Sequence, residues 1–268
     1  MMSPSYLRVL GLSACLVLGV VVVAHGQTAT KKPARSPRSQ PSAAAQLPSQ
    51  VLDLSHWKIT LPVAESGAKN AVEIKQPQLA MLVEPSFFFV DPTQQAVMFR
   101  APCGGVTTKG SKFPRSELRE MSAADPEKSA DWSTSDSQLH TLTVVEAVTH
   151  LPEHKPHVCC AQIHDADDDL IEVRVERTKL FVQRAKAEDA MLDPNYQLGT
   201  FFELKIEAGG GHIRVWHDGV LKMDWEKARS GCYFKAGCYT QSNVSKGDSA
   251  DAYGEVAIRK LSVTTGGK

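Results

Sequence analysis

The sequence has no excess of positive charge, because 30 Lys and Arg residues balance 30 Asp and Glu residues. The first 50 positions hold five of the basic residues and no acidic one, which leaves 25 basic against 30 acidic residues, a net charge of −5, in the rest of the chain. Nucleic-acid-binding domains carry a basic surface, so this balance argues against one. Affinity for an anionic ligand would have to come from a local cleft lined by Arg and Lys.

Long amphipathic helices are also missing, and the chain contains no internal repeat. Short strand-like segments alternate with turn signals, among them Gly209-Gly210-Gly211 and Asp218-Gly219. Gln76–Val83 is a segment that favours a short helix. This pattern predicts an all-β fold: a single-domain β-jelly roll, that is a two-sheet sandwich, with a concave substrate groove. The predicted strands are His56–Leu61, Phe87–Val90, Ala96–Ala101, Arg115–Met121, Ser137–Val148, His157–His164, Leu170–Glu176, Lys179–Gln183, Thr200–Ala208, His212–Trp216, Val220–Trp225, Cys232–Gln241 and Tyr253–Thr264.

The N-terminus has the pattern of a secretory signal peptide. Arg8 precedes an apolar run from Val9 to Ala24, and Ala24-His25-Gly26 offers small residues for cleavage before Gln27. The run is slightly short for a membrane span, so we expect cleavage rather than an anchor. A lipoprotein box at Leu12–Cys15 is a further alternative.

The composition then divides the chain into three parts. We expect a signal peptide over residues 1–26 and one jelly-roll domain over residues 51–268. Between them, residues 27–50 are rich in Pro, Ser, Ala, Gln and Lys and lack aromatics, which predicts a disordered linker. The protein would be secreted to the extracellular space, or to the periplasm, and would not contact the membrane after cleavage.

Zinc-ligand spacing is absent among the cysteines. Loss of the signal peptide would leave five cysteines, an odd number in which at least one thiol is unpaired, although an exported protein permits disulfides. Adjacent strand residues face opposite ways, so Cys159 and Cys160 should not pair. Cys232 and Cys238 could pair only if the chain turns between them or just before Tyr233. The sequence leaves the pairing open among Cys103, Cys159, Cys160, Cys232 and Cys238.

Three segments place polar side chains at every second position: Arg115–Glu120, Cys160–His164 and Tyr233–Gln241. Successive side chains of a strand point to opposite faces, so each segment turns one polar face away from the core. A face rich in cations and hydrogen-bond donors, with one His and two Tyr, suits an anionic substrate that undergoes acid–base chemistry. The predicted polar face consists of Arg115, Glu117, Arg119, Gln162, His164, Tyr233, Lys235, Tyr239 and Gln241.

These segments resemble, in the same chain order, the signature blocks of alginate lyases of polysaccharide lyase family 7. The blocks are Arg115–Arg119, Gln162–His164 and Tyr233–Gln241, and Leu52–Pro62 resembles the opening strand of that family. The resemblance spans roughly Val51 to the C-terminus. It implies a β-jelly roll that cleaves alginate, a polymer of mannuronate and guluronate, by β-elimination. It also implies a monomer that needs no metal or other cofactor.

The resemblance further implies which residues do the chemistry. Gln162, His164 and an arginine, either Arg115 or Arg119, would surround and neutralise the C5 carboxylate of the substrate. His164 would take the C5 proton, since its ordinary pKa suits a base near neutral pH. Tyr239 would protonate the departing O4, and on mannuronate it could also act as the base.

The remaining residues of the predicted face are assigned to substrate binding. With Arg115 taken as the catalytic arginine, the binding set comprises Arg119, Glu117, Lys235, Tyr233 and Gln241. Glu117 lies between two arginines in the sequence, so we expect it to orient them rather than to react. Tyr233, Lys235 and Gln241 could equally form a solvated rim.

Simpler interpretations compete with each assignment. The Arg and Glu side chains could form an ordinary cross-strand ion-pair ladder, and a lone His or Tyr is more often structural. A non-catalytic module that binds acidic polysaccharide would need neither His164 nor Tyr239 at a reacting centre. A glycoside hydrolase usually needs two carboxylates, whereas the blocks contain only Glu117. Asp165–Asp169 has no recognised calcium spacing and is interpreted as an acidic turn.

Overall fold

The structure is a computed structural model and describes residues 46–91 and 95–267. Within that part of the chain, all regular structure consists of β-strands and three single-turn 3-10 helices, Pro48–Gln50, Gln78–Met81 and Val244–Lys246. The strands are β1 (Trp57–Thr60), β2 (Glu73–Ile74), β3 (Phe88–Asp91), β4 (Ala96–Pro102), β5 (Arg115–Glu120), β6 (Leu139–His150), β7 (His157–His164), β8 (Asp169–Glu176), β9 (Lys179–Arg184), β10 (Ala190–Asp193), β11 (Phe202–Gly209), β12 (His212–His217), β13 (Val220–Glu226), β14 (Tyr233–Thr240) and β15 (Tyr253–Gly266).

Two antiparallel sheets pack face to face. The eight-stranded sheet has the order β10-β9-β8-β7-β14-β5-β1-β2, and the seven-stranded sheet has the order β13-β12-β11-β6-β15-β4-β3. Strand β14 lies in the middle of the first sheet and packs on β15 and β4 of the second. The predicted all-β, two-sheet jelly roll is therefore confirmed.

Period-two alternation builds the core between the sheets. In β6, Leu142 and Val144 are fully buried, while Thr141 and Thr143 are partly exposed on the outer face. Phe234 of β14 is likewise fully buried. Each large apolar side chain buried in this way contributes about 1.5–3 kcal/mol. Burying the apolar face of β14 turns its polar residues to the opposite, concave side of the sheet.

Every predicted strand is present, with ends shifted by at most two residues. The sequence analysis missed β2 and β10, which are the two edge strands of the eight-stranded sheet. Strand β2 has two residues and β10 has four. They form because their backbones pair with β1 and β9, and their sequences have no apolar pattern long enough to predict a strand. The segment expected to be a short helix forms a single 3-10 turn, Gln78–Met81, which buries Leu79.

Gly237 allows β14 to lie close to β5. Its φ of 130° is one that side-chain-bearing residues rarely adopt, and a Cβ there would lie 2.8 Å from the Ser116 carbonyl oxygen and 2.9 Å from the Phe99 ring. The pairing of β14 with β7 shifts by one residue at this point, between Ala236 and Tyr239. Such a bulge re-aims the residues that follow, and here the residue after the bulge is Tyr239.

The cysteines of the described chain are all unpaired and buried. The disulfides that export would permit are therefore not formed among the described residues. Cys232 directly precedes β14 and Cys238 lies within it, and because the strand does not turn back, the two thiols stay apart. Cys159 lies beside Glu117 and Glu172 below the concave face, whereas Cys160 lies beside Glu146 in the core.

The signal peptide and most of the linker predicted for the N-terminus lie outside the described residues, because residues 1–45 precede them. At the end of the predicted linker, Pro48 is buried and the Ser49 hydroxyl donates a 2.6 Å hydrogen bond to the Ala80 carbonyl. These contacts lie just ahead of Val51, where the sequence analysis begins the domain. The described residues include no helix that is long and apolar enough to cross a membrane.

Glu146 is an unexpected carboxyl group in the core. It follows Leu142 and Val144 on the inward face of β6 and has no exposed surface. No charged group among the described residues pairs with its carboxyl group, and the weakly polar Cys160 thiol is the hydrogen-bonding group beside it. Burial raises its pKa from 4.5 to about 8, because a charge without a partner is disfavoured in an apolar environment.

This carboxyl group predicts a pH-dependent stability. Between pH 4.5 and about 8 the folded protein keeps the Glu146 proton while the unfolded chain releases it, so stability falls as pH rises through this window. In the natural chain, Glu146 should lower the free energy of unfolding by up to about 1.4 kcal/mol for each pH unit in this window. Urea unfolding of Glu146→Gln should show a curve without this contribution. Glu203→Gln, at an exposed position of the same sheet, is the control. Stability curves for Glu146→Gln and the natural chain that run parallel from pH 5 to 8 would contradict the assignment.

Candidate active site

A groove of about 840 Å³ lies on the concave face of the eight-stranded sheet. Its floor comes from the neighbouring strands β5, β14, β7 and β8. Eight of the nine residues predicted for the polar face line it: Arg115, Arg119, Gln162, His164, Tyr233, Lys235, Tyr239 and Gln241. The structure therefore brings together side chains from three distant parts of the sequence.

Strand register explains this convergence. In the pairing of β14 with β5, Lys235 lies opposite Arg119 and Tyr239 opposite Arg115. On the other side of β14, Lys235 also lies opposite Gln162 of β7. Residues directly opposite each other on neighbouring strands have their Cβ atoms about 5 Å apart. One cross-section of the sheet thus aligns an arginine, a lysine and an amide.

Glu117 is the ninth predicted residue, and it lies beneath the groove rather than in its lining. Its side chain is 2% exposed and accepts hydrogen bonds from Arg115 Nη1 at 2.7 Å, from Lys235 Nζ at 2.9 Å and from the Gln162 amide. Burial alone would raise its pKa, but Lys235 and Arg115 outweigh burial and hold the pKa at about 2. Glu117 is therefore ionised and anchors three groove residues, which fits an orienting role and not the contact with substrate.

His164 has a defined tautomer. Its Nδ1 lies 2.6 Å from the carbonyl oxygen of Asp165 and 3.0 Å from the Tyr233 hydroxyl. A carbonyl oxygen can only accept, so Nδ1 carries the hydrogen and Nε2 keeps its lone pair. Burial, reinforced by the nearby Lys235 charge, lowers the pKa of His164 below 6.5. The imidazole is therefore neutral at neutral pH, with Nε2 able to accept a proton.

Tyr239, unlike His164, carries a hydrogen that it can donate into the groove. Its hydroxyl lies 3.1 Å from the Ser111 hydroxyl, and the Arg115 guanidinium lies 3.7 Å from the centre of its ring. Burial raises the pKa of Tyr239, while the Arg115 charge and the Ser111 hydrogen bond partly oppose that rise. The phenol thus keeps its proton at neutral pH and can donate it.

A second arginine–tyrosine stack mirrors the first. The Arg119 guanidinium lies 3.8 Å from the centre of the Tyr233 ring, and that ring stacks on His164 with 5.5 Å between centroids. Burial raises the pKa of Tyr233 to about 12. Arg115 is already paired with Glu117, whereas no carboxylate among the described residues pairs with Arg119. Arg115 therefore contacts Tyr239 directly, whereas the Tyr233 ring lies between Arg119 and His164.

Known proteins match this chain in sequence and in fold. A family model described as alginate lyase covers residues 52–265. The solved structure of alginate lyase AlgAT5 from polysaccharide lyase family 7 is 51% identical, covers 82% of this chain and 99% of its own, and gives a TM-score of 0.78. This chain belongs to that family. It is a polysaccharide lyase that acts on alginate, as the three sequence blocks imply.

Two further relatives agree with that assignment. The alginate lyase structure from Corynebacterium sp. is 43% identical, covers 82% of this chain and 99% of its own, and gives a TM-score of 0.77. A curated alginate lyase of Klebsiella pneumoniae is 25% identical over an alignment that covers 84% of this chain and 93% of that protein. The likeness thus spans nearly the whole described domain of the lyase.

The groove of this lyase also contains residues that the sequence analysis did not select. Glu172 and Arg174 of β8 and Gln183 of β9 line it, and Gln241 donates a 3.0 Å hydrogen bond to Glu172. Burial, reinforced by the nearby Asp169, raises the pKa of Glu172 to about 7. The alternation of Glu172 with Arg174 in β8 was a usable signal, because it continues the polar face across the next strand.

The acidic segment beside His164 forms a turn in the structure. The Asp165 carboxylate accepts hydrogen bonds from the backbone N–H of Asp167 at 2.7 Å and from that of Asp168 at 2.8 Å. It also forms an ion pair with Arg229. Within the described ranges, no group of His, Cys, Asp and Glu side chains has the arrangement of a metal site. The carboxylate of Asp165 instead shapes the turn whose backbone carbonyl sets the His164 tautomer.

Proposed function

We propose that this alginate lyase cleaves the 1,4-glycosidic bond by β-elimination and releases oligosaccharides with an unsaturated uronate at the non-reducing end. The observation that carries the proposal is one cation-lined groove that holds a neutral imidazole with a free Nε2 and a protonated phenol. Elimination needs a base, an acid and a neutralised carboxylate, and the groove contains a candidate for each.

The first step places the substrate carboxylate against the cationic floor. Arginine binds a carboxylate through two parallel hydrogen bonds, and Arg115 and Arg119 both face the groove. Gln162 has a second amide hydrogen besides the one that it donates to Glu117. Neutralising the C5 carboxylate stabilises the carbanion-like state that follows loss of the C5 proton.

The proton transfers then follow from the two protonation states. On guluronate, His164 Nε2 takes the C5 proton, the C–H electron pair forms the C4–C5 double bond, and the C4–O4 bond breaks. Tyr239 gives its proton to the departing O4, which keeps charge from accumulating there. On mannuronate, the C5 proton and O4 lie on the same side of the ring. Tyr239 then has to enter as the phenolate, which the Arg115 charge favours, take the C5 proton and pass that proton to O4.

Export and mode of action are parts of the same proposal. The apolar run of residues 9–24 after Arg8, and the small residues before Gln27, support secretion, so that the lyase meets alginate outside the cytoplasm. The family resemblance implies that it acts as a monomer. The groove is open along the sheet and is lined from β5 to β9, which favours cleavage within the polymer over cleavage at its ends.

An absorbance assay tests the reaction. The purified lyase incubated with alginate should produce near-ultraviolet absorbance, because β-elimination creates a double bond conjugated with the carboxylate. Internal cleavage predicts that viscosity falls early, when little absorbance has formed. New reducing ends without absorbance would overturn the elimination mechanism and indicate hydrolysis. Separated mannuronate and guluronate blocks as substrates would show the block preference.

A further inference from the structure

Ser111 lies in the loop between β4 and β5 and reaches into the groove. Its hydroxyl oxygen contacts four polar atoms: the Phe113 carbonyl oxygen at 3.0 Å, the Phe113 N–H at 3.2 Å, the Tyr239 hydroxyl at 3.1 Å and Arg115 Nη2 at 3.3 Å. This one hydroxyl therefore joins the acid of the proposed reaction to one of the arginines that would bind the carboxylate.

The number of hydrogens restricts what this hydroxyl can do. A serine hydroxyl has one hydrogen to donate and two lone pairs to accept. The Phe113 N–H and Arg115 Nη2 can only donate, so together they occupy both lone pairs of the Ser111 hydroxyl. Its one hydrogen is left for two possible acceptors, the Phe113 carbonyl oxygen and the Tyr239 oxygen.

Transfer of the Tyr239 proton to O4 decides between these two acceptors. A phenolate oxygen is charged and can only accept, so the Ser111 hydrogen turns to Tyr239. The Arg115 charge, 3.7 Å from the ring centre, favours the phenolate as well.

We propose that Ser111 is a positioning residue that holds the Tyr239 oxygen in the groove and donates its hydrogen bond to the phenolate as the phenol gives up its proton. This inference rests on the proposed function, since it assigns a partner to the acid of the elimination. Hydrogen bonds to charged groups are stronger than those to neutral ones, so Ser111 stabilises the product of proton transfer more than its reactant.

The test compares Ser111→Ala with Ser111→Thr, which keeps the hydroxyl, and with Ser66→Ala, an exposed loop serine, as the control. Ser111→Ala should lower kcat on alginate by about 10- to 100-fold, the loss of one hydrogen bond to a charged group, with KM changed less than kcat. Ser111→Thr should restore most of kcat, and Ser66→Ala should match the natural chain. Circular dichroism confirms that each variant is folded.

A second measurement separates positioning from a general structural effect. The phenol of Tyr239 is titrated by the absorbance of tyrosinate, as the difference between each protein and its Tyr239→Phe counterpart. Ser111→Ala should move this titration to higher pH, and Ser111→Thr should leave it in place. A normal kcat in Ser111→Ala, or a lowered kcat with an unmoved titration, overturns the proposal. The titration needs no turnover, so it tests Ser111 even if the natural chain forms no unsaturated product and the proposed function fails.

Discussion

Tyr239→Phe should lower kcat by about 10²- to 10⁴-fold on alginate of every block composition, the range that general acid catalysis typically contributes. All linkages require protonation of O4, and the substitution removes only the hydroxyl that would supply this proton. The ring on which Arg115 stacks remains, so the variant should fold and bind substrate. Initial rates of absorbance increase on mannuronate-rich and guluronate-rich polymer measure the effect.

Tyr253→Phe is the matched control for this substitution. Tyr253 starts β15 in the other sheet and stacks on His150, away from the groove, so the loss of its hydroxyl should leave the rate unchanged. If Tyr239→Phe kept half of the natural rate on either polymer, another group would have to be the acid, and the mechanism proposed for this lyase would fail.

His164→Ala should nearly abolish turnover on guluronate-rich polymer and spare more of the rate on mannuronate-rich polymer. The reason is geometric: on guluronate the C5 proton and O4 lie on opposite sides of the ring, and His164 is the proposed base on the side away from Tyr239. The comparison requires kcat on separated blocks. His56→Ala, which removes an exposed histidine, provides the control.

The protonation state of His164 adds a pH signature to this prediction. Its pKa is lowered, first by burial and then by Lys235, so the imidazole loses its proton below pH 6.5 and is an active base above that point. The acid limb of kcat/KM on guluronate-rich polymer should therefore lie below pH 6.5, since this ratio reports the free enzyme. A near-normal rate in His164→Ala on this polymer would remove His164 as the base.

The buried position of the Glu117 carboxylate could not be predicted from the sequence. Alternation correctly places Arg115, Glu117 and Arg119 on one face, but it does not tell which of them contacts substrate. Because of the register of β5, β14 and β7, three hydrogen-bond donors lie around the Glu117 carboxylate, and the carboxylate is buried beneath the groove floor. Pairing between strands distant in sequence decides this, and a single-strand pattern contains no information about it.

Backbone contacts supply two further features that the residue pattern could not. The Asp165 carbonyl fixes the His164 tautomer through a turn whose geometry depends on hydrogen bonds within the loop. The Ser111 hydroxyl reaches Tyr239 across 128 residues of sequence, from a loop with no periodic pattern. Both features control where protons lie, which residue type alone does not reveal.

The order of polar and apolar residues by itself determined the sheet-forming character of this chain and the faces of its main strands. That information is local, because neighbouring side chains on a strand always point to opposite sides. Only the tertiary structure decided which edge strands form, that the cysteines stay unpaired, and which atoms hold the groove residues in place. Those outcomes depend on distances of a few ångströms between segments far apart in sequence, and such distances exist only once the two sheets have packed.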